Sequence, residues 1–278
     1  MRSIHGILTR AVASGALVMT VAVAHAADAA PAGGGGAVQK IGHGEINWTE
    51  QYIIATGSAA PAPNSPNVAV ARLGAERAAK MDAFRNILEV LKGAQVTAKS
   101  TGADEMSNGT IKSKVEGLVK NYKVVDTKYY SDGSVDVIVR VELKGELSDA
   151  LVPDTKPVAV PEKGAAKNTG LVINAKGLQA VPAMAPRIVD ESGNEVYGVS
   201  MVVEQAAKDN GIAGYVKDVD AAQQHNRVKG TPLTLRAIRL ASPGKSDLVI
   251  SNADAEKLRD PNGNMSYLAQ GKVIIVID

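Results

Sequence analysis

The sequence of 278 residues contains no cysteine. Disulfide bonds and thiolate metal ligands are therefore excluded, and so is lipid attachment through an N-terminal cysteine. Histidine is scarce as well, because only His43 and His225 follow residue 26, in different parts of the chain. We therefore expect no lipid anchor and no metal-ligating residues.

Aromatic residues make up only 3% of the sequence, with one Trp and one Phe. Proteins that stack bases or sugars on aromatic rings normally need more of them. Removing residues 1–26 takes away two arginines and no acidic residue, which leaves equal numbers of basic and acidic side chains. A neutral chain of this kind is not expected to bind nucleic acid.

Local motifs for catalysis are incomplete. Gly198–Ser200 lacks the second glycine of a nucleophile elbow, and Gly33–Gly36 lacks the lysine of a phosphate-binding loop. The stretch 260–264 begins like a calcium loop, but Met265 stands where that loop needs glycine, so a polar turn is the better interpretation. We predict that the chain is not an enzyme, with no catalytic, cofactor-binding or metal residues and no cofactor.

Residues 1–26 have the order of a secretory signal peptide. Arg2 and Arg10 lie in or before a stretch of small, apolar residues, and Ala24 and Ala26 suit the cleavage positions. The stretch is too short to span a bilayer stably, although a short membrane anchor is the alternative interpretation. The sequence thus predicts a periplasmic or secreted protein, with outer-membrane association left open.

Glycine and proline divide the rest of the chain. Residues 27–44 include the glycine run and are predicted to be a flexible tether. Residues 153–167 contain three spaced prolines and are predicted to be an extended linker. We therefore expect two domains, at residues 45–152 and 168–278.

The apolar period of residues 67–92 predicts one long amphipathic helix. Ser65 and Pro66 are predicted to be its N-cap and its first residue. The helix is expected to lie on a sheet. The residues predicted to face the core are Ala71, Leu73, Gly74, Ala75, Ala78, Met81, Phe84, Leu88 and Leu91.

Residues 122–143 are predicted to form a β-hairpin, because two strands flank the turn residues Asp132 and Gly133. In the second strand, valines alternate with mostly polar residues from Val135 to Val141. That alternation predicts an antiparallel sheet, wet on one face and covered by the helix on the other.

The second half is predicted to be a smaller mixed α/β domain, which makes the whole chain α+β. Its last strand, residues 273–277, is a continuous apolar run. Such a run is typical of a central strand that is buried on both faces.

Two further groups of residues are considered as candidate sites, and the first of them leaves an alternative open. Trp48, Tyr52, Tyr129 and Tyr130 fit half-buried sheet positions, the favoured interpretation, or an exposed partner-binding patch. Acidic pairs in turns, such as Asp190-Glu191, are expected to be solvated.

Between residues 52 and 143, a helix, a glycine, a predicted strand at residues 94–99, a second helix and a hairpin follow one another. The segments Ala71–Ala79, Met81–Glu89 and Val115–Val119, with the hairpin from Tyr129 to Val141, resemble the bacterial lipoprotein-20 family, which is also seen in the N-terminal part of flagellar assembly protein T. The resemblance implies a small α+β domain of envelope or surface proteins and implies no reaction.

Two functions follow as hypotheses. The first is a non-enzymatic exported envelope protein that acts as a scaffold or assembly factor through contacts with unidentified envelope proteins, with a flagellar or outer-membrane role and homo-oligomer formation left open. The alternative is a periplasmic module, or degenerate hydrolase, that binds a small molecule or glycan in a cleft between the domains. Pocket polarity separates the two hypotheses.

Overall fold

The structure, a computed structural model, describes residues 36–278. Three β-sheets and the helices that pack on them make the fold α+β, as predicted. The described residues belong to one compact unit. The predicted signal peptide and the first part of the predicted tether lie outside the described residues. Within the described range, no helix has the length and apolarity that crossing a membrane requires.

The first half forms a five-stranded antiparallel sheet with strand order β1-β2-β3-β5-β4. Its elements are β1 (Val38–Ile41), β2 (Gly44–Asn47), β3 (Tyr52–Ala59), α1 (Val68–Gly93), α2 (Gly102–Glu105), α3 (Gly109–Val119), β4 (Lys123–Tyr129), β5 (Val135–Glu142) and α4 (Glu146–Leu151). Strand β1 corrects the predicted tether. Its residues pair with β2, from Val38 opposite Asn47 to Ile41 opposite Gly44, so this backbone is hydrogen-bonded rather than free.

Helix α1 lies across this sheet, as predicted. The inward valines of β5, Val135, Val137 and Val139, are completely buried. Gly57 of β3 permits the close approach, because a Cβ atom there would lie 2.0 Å from the backbone nitrogen of Ala83. The predicted hairpin and its single dry face are therefore confirmed.

The predicted core face of α1 is correct only in part. Ala75 and Leu91 are buried, as predicted, and Phe84 and Leu88 are partly buried, but four other residues predicted to face the core, among them Gly74, are exposed. Leu73 and Met81 are each 55% exposed, and Ala78 is exposed as well. Small side chains face inward near Gly57, where the helix backbone comes too close to the sheet for larger ones. The buried residues of the helix are Ala75, Ala79, Ala83, Asn86, Ile87, Val90 and Leu91.

The helix also begins two residues later than the predicted Ser65-Pro66. Asn67 is its N-cap, and the Asn67 side-chain oxygen accepts a hydrogen bond from the Val70 N–H at 2.9 Å.

The second half contains two further sheets. One is parallel, with order β10-β6-β13-β9, and the other is mixed, with order β11-β12-β7-β8. The elements are β6 (Leu171–Asn174), β7 (Ile188–Val189), β8 (Glu195–Tyr197), a 3-10 helix (Val199–Met201), α5 (Glu204–Asn210), β9 (Gly214–Val216), α6 (Val219–Gln224), β10 (Leu233–Arg236), β11 (Arg239–Leu240), β12 (Leu248–Val249), α7 (Asn252–Arg259), α8 (Ser266–Ala269) and β13 (Val273–Val276).

The terminal strand β13 is central, as its apolar run predicts. It lies between β6 and β9 and pairs in parallel with both. Val273 and Ile275 face the main core, whereas Ile274 and Val276 face a second, smaller cluster that contains Ala222 of α6. Both faces of the strand are therefore dry.

The two halves share their main hydrophobic core, whose residues run from Ala37 to Ile277 in the sequence. Backbone hydrogen bonds also join them: the Met184 N–H donates to the Gln95 carbonyl at 3.0 Å, and the Ala185 N–H donates to the Val96 carbonyl at 2.8 Å. The halves predicted as separate domains thus pack as one body.

Candidate functional site

The outer side of α1 and the edge strand β4 expose most of the large apolar side chains that the described residues leave open to solvent. We call this set the α1–β4 surface. It consists of Val68, Val70, Leu73, Met81, Val124, Val125, Tyr129 and Tyr130. Val70, Leu73 and Met81 fall within ~80° of one another around the helix, since each residue advances the helix by about 100°. These three apolar side chains therefore form a stripe along one side of the helix.

Tyr129 ties β4 to the helix. The Tyr129 hydroxyl donates to Glu76 Oε2 at 3.0 Å, and the Arg72 guanidinium lies 4.5 Å from the centre of the Tyr129 ring. Hydrogen bonding to Lys80 and Tyr129 lowers the pKa of Glu76. The ring is held in place but stays 46% exposed, so it is available for contact.

Strand β4 lies at the edge of its sheet but is protected against pairing with another strand. Its register shifts between Val124 and Asp126, which is a β-bulge. The Thr127 N–H donates to the Asp126 carboxylate at 2.8 Å, and Lys128 adds a charge. Proteins use such devices to prevent edge-to-edge association. A partner would therefore contact side chains here rather than extend the sheet.

The four aromatic residues considered above divide between the two interpretations, which are sheet positions and an exposed partner-binding patch. Trp48 and Tyr52 are buried, at 2% and 6% exposure. Tyr129 and Tyr130 are each nearly half exposed and lie together at the end of β4. Only the second pair contributes to a surface.

A cleft lies between the two halves of the chain and contains two cavities, of about 350 and 430 Å³. Both cavities are lined by Pro153 and Thr155 on one wall and by Val199 and Ser200 on the other. The proline-rich stretch predicted as a linker thus forms a wall of this cleft. It is anchored beyond the cleft, where the Val158 N–H donates to the Ser200 carbonyl at 2.8 Å.

The smaller cavity has a basic side chain fixed in place. Nη2 of Arg187 lies 2.6 Å from Oδ2 of Asp247, and the Arg187 backbone N–H donates to Oδ1 of the same carboxylate at 2.9 Å. The Asp247 side chain is 2% exposed, whereas that of Arg187 is 46% exposed. Lys99 lines the same cavity. The ion pair with Asp247 therefore fixes the orientation of the Arg187 guanidinium, which remains partly exposed and lines the cavity.

The larger cavity has an acidic character. Asp149, Asp154 and Glu204 line it together with one base, Lys208. The Lys208 ammonium donates to Glu204, which raises the pKa of Lys208, and Lys114 lies 3.4 Å from Asp149. Sequence reasoning did not identify any of these residues, because they come together only when the two halves pack.

The carboxylate of Asp190 is buried, which corrects the solvated position expected for it, whereas Glu191 is exposed as expected. The Arg259 guanidinium donates to Asp190 at 2.7 Å, and the Asn194 amide donates at 3.0 Å. These donors hold the pKa of Asp190 well below its ordinary value. Asp190, Asn194 and Arg259 thus connect the turn after β7 to the end of α7, which gives the buried carboxylate a structural role.

The remaining sequence motifs have structural roles, although His43 lies in a turn of the sheet and not in the tether predicted for it. His43 lies in the turn between β1 and β2, and His225 follows α6, where burial lowers its pKa. At residues 260–264, the Asn262 N–H donates to the Asp260 carboxylate, which is a polar turn. Within residues 36–278, no three His, Asp or Glu side chains group as metal ligands would.

Residues 170–278 match a family model described as the second domain of Treponema pallidum Tp0624. The match spans both sheets of the second half and less than half of the chain. No curated protein matches the chain. The lipoprotein-20 resemblance of residues 52–143 concerns the other half and stays a prediction.

Proposed function

We propose that this protein is a non-enzymatic envelope protein, exported to the periplasm or beyond, that acts as a scaffold or assembly factor through protein–protein contacts. The observation behind the proposal is the α1–β4 surface. Leu73 and Met81 are large side chains held exposed on a 26-residue helix, which is itself packed on a sheet. Exposed apolar patches on a rigid body are typical of interaction sites.

The rigidity of the body supports the same function. A scaffold must hold its contact surface in a fixed position relative to the rest of the molecule. Helix α1 packs on β3 and β5, and the core beneath them continues into the second half. A contact made at α1 is therefore linked to the whole described body, without a flexible joint between the halves.

Basic side chains lie within and next to the apolar stripe. Arg77 is four residues from both Leu73 and Met81 and so lies between them, and Arg85 is four residues beyond Met81. Arg77 and Arg85 are exposed on the outer side of α1. If two copies of α1 met face to face, these arginines would approach one another and repel. A partner with an acidic, apolar surface is the better fit.

The test compares partners recovered after cross-linking in whole cells. The double variant Leu73→Ser/Met81→Ser removes the two largest apolar side chains of the stripe, and Ile238→Ser is the matched control, because Ile238 is an exposed apolar residue outside the α1–β4 surface. We expect the wild type and Ile238→Ser to recover the same envelope proteins and the double variant to lose them. Recovery of no envelope protein by the wild type, or equal recovery by all three chains, would refute the proposal.

A further inference from the structure

We infer that the cleft between the two halves binds a short peptide with free termini. The first argument is shape. The two cavities, of about 350 and 430 Å³, are neighbours in the cleft, because four residues line both of them. Each cavity alone lies in the range of about 300–1,000 Å³ that ligand sites occupy.

The second argument is charge at the two ends. Lys99 and Arg187 line only the smaller cavity, together with Asp247, which pairs with Arg187, and Glu195, which accepts a hydrogen bond from Ser200. Asp149 and Asp154 line only the larger cavity, together with the ion pair of Glu204 and Lys208. Within the described part of the chain, neither Lys99 nor Asp154 has an oppositely charged group within 4.0 Å. A ligand with a carboxylate at one end and an ammonium at the other would pair with both ends of the cleft.

The third argument concerns the middle of the cleft, where Pro153, Thr155, Val199 and Ser200 meet. These side chains are small, apolar or hydroxyl-bearing, which suits a peptide backbone with small side chains. The Ser200 hydroxyl donates a hydrogen bond to Glu195 at 2.8 Å. One oxygen of the Glu195 carboxylate, which lines the smaller cavity with Lys99 and Arg187, therefore already has a hydrogen-bond donor.

The lining also argues against a sugar. Among the described residues that line the two cavities there is no Trp, Tyr or Phe. Sugar sites generally place an aromatic ring against the apolar face of the ligand. The peptide is therefore favoured over the glycan as the occupant.

The experiment is isothermal titration calorimetry of the full chain with trialanine, N-acetyl-trialanine and trialanine amide. We expect trialanine to bind, and each blocked peptide to bind about tenfold more weakly, because each has lost one charge-assisted contact. In Lys99→Gln, trialanine and its amide should bind equally. In Asp154→Asn, trialanine and its acetylated form should bind equally.

Both substituted residues are exposed, so the variants should fold. Lys229→Gln and Glu256→Gln change exposed charges that line neither cavity and should bind all three peptides as the wild type does. The inference is overturned by the absence of binding to any of the three peptides up to about 1 mM, by blocking groups that leave the affinity unchanged, or by control variants that lose as much affinity as Lys99→Gln.

Discussion

The indole of Trp48 meets the ring of Tyr215 edge-on, with ring centroids 5.8 Å apart and an interplanar angle of 70°. Trp48 belongs to the first half of the chain, and Tyr215 lies in β9 of the second half. Next to this pair, the Thr49 hydroxyl donates to the Tyr215 carbonyl at 2.6 Å, and the Gln51 amide donates to the Ala213 carbonyl at 3.0 Å. The turn after β2 is thus built into the edge of the parallel sheet.

Trp48 is the only tryptophan in the sequence, so its fluorescence reports on the contact between the halves. We expect the fluorescence and the far-UV circular dichroism to change at the same urea concentration, because the halves share one core. Trp48→Ala should lower the free energy of unfolding by about 3–5 kcal/mol. A fluorescence transition that clearly precedes loss of secondary structure would show instead that the halves separate before they unfold.

The approach of α1 to β3 can be tested with two substitutions that each add one methyl group. Gly57→Ala should destabilise the protein by about 1–3 kcal/mol or more, because the new Cβ would meet the backbone of Ala79 and Ala83. Gly74→Ala should stabilise it by about 0.5–1 kcal/mol, since Gly74 lies within the helix with nothing within 4 Å of the new Cβ. Urea denaturation of the two variants gives both values. Equal effects would contradict the close packing described here.

The terminal strand β13 should be required for the stable folding of both halves of the chain. Deleting residues 271–278 removes β13 from between β6 and β9, so we expect the loss of cooperative unfolding over the whole body. Ile275→Val is a milder control and should cost about 0.5–1.5 kcal/mol while leaving the transition cooperative. A truncated chain that stayed soluble and unfolded cooperatively, as followed by circular dichroism, would contradict the central position of β13.

The buried carboxylate of Asp190 makes stability depend on pH in the acid range. Its pKa is lowered in the folded state, so the unfolded chain binds a proton at higher pH than the folded chain does. The stabilising contribution of Asp190 is therefore complete above the ordinary Asp pKa of about 3.9 and declines as the pH falls below it. Asp190→Asn should be clearly less stable than the wild type at neutral pH, and this difference should shrink toward pH 2.

Thermal unfolding measured across this pH range checks the expectation. Asp209→Asn is a suitable comparison, because Asp209 is exposed near the end of α5. A difference between wild type and Asp190→Asn that stays constant with pH would mean that the Arg259 contact does not carry the effect.

The sheet and the terminal strand could be predicted because each has a local signal. Alternation from Val135 to Val141 marks a half-buried strand, and the run 273–277 marks a fully buried one. The orientation of α1 could not be predicted in the same way, because apolar residues occupy both sides of the helix. The deciding feature was Gly57, which is remote in sequence and selects the alanines spaced by four residues at 75, 79 and 83.

The charged residues that line the cleft gave no signal in the sequence. Lys99, Asp154 and Arg187 belong to three separate stretches and share no motif or spacing. They meet because the stretch after α1 pairs with residues 184–185, and because the proline-rich stretch runs across the second half. Prolines at 153, 157 and 161 predicted extended chain, but not the surface on which it lies.

Site-specific photo-cross-linking tests the proposed function most directly. A photoreactive side chain replaces Leu73 in one chain and Ile238 in another, and both chains are irradiated in living cells. We expect a defined adduct with an envelope protein from position 73 and none from position 238. The absence of an adduct at position 73, or the same adducts from both positions, would contradict the assignment of the α1–β4 surface as the contact site.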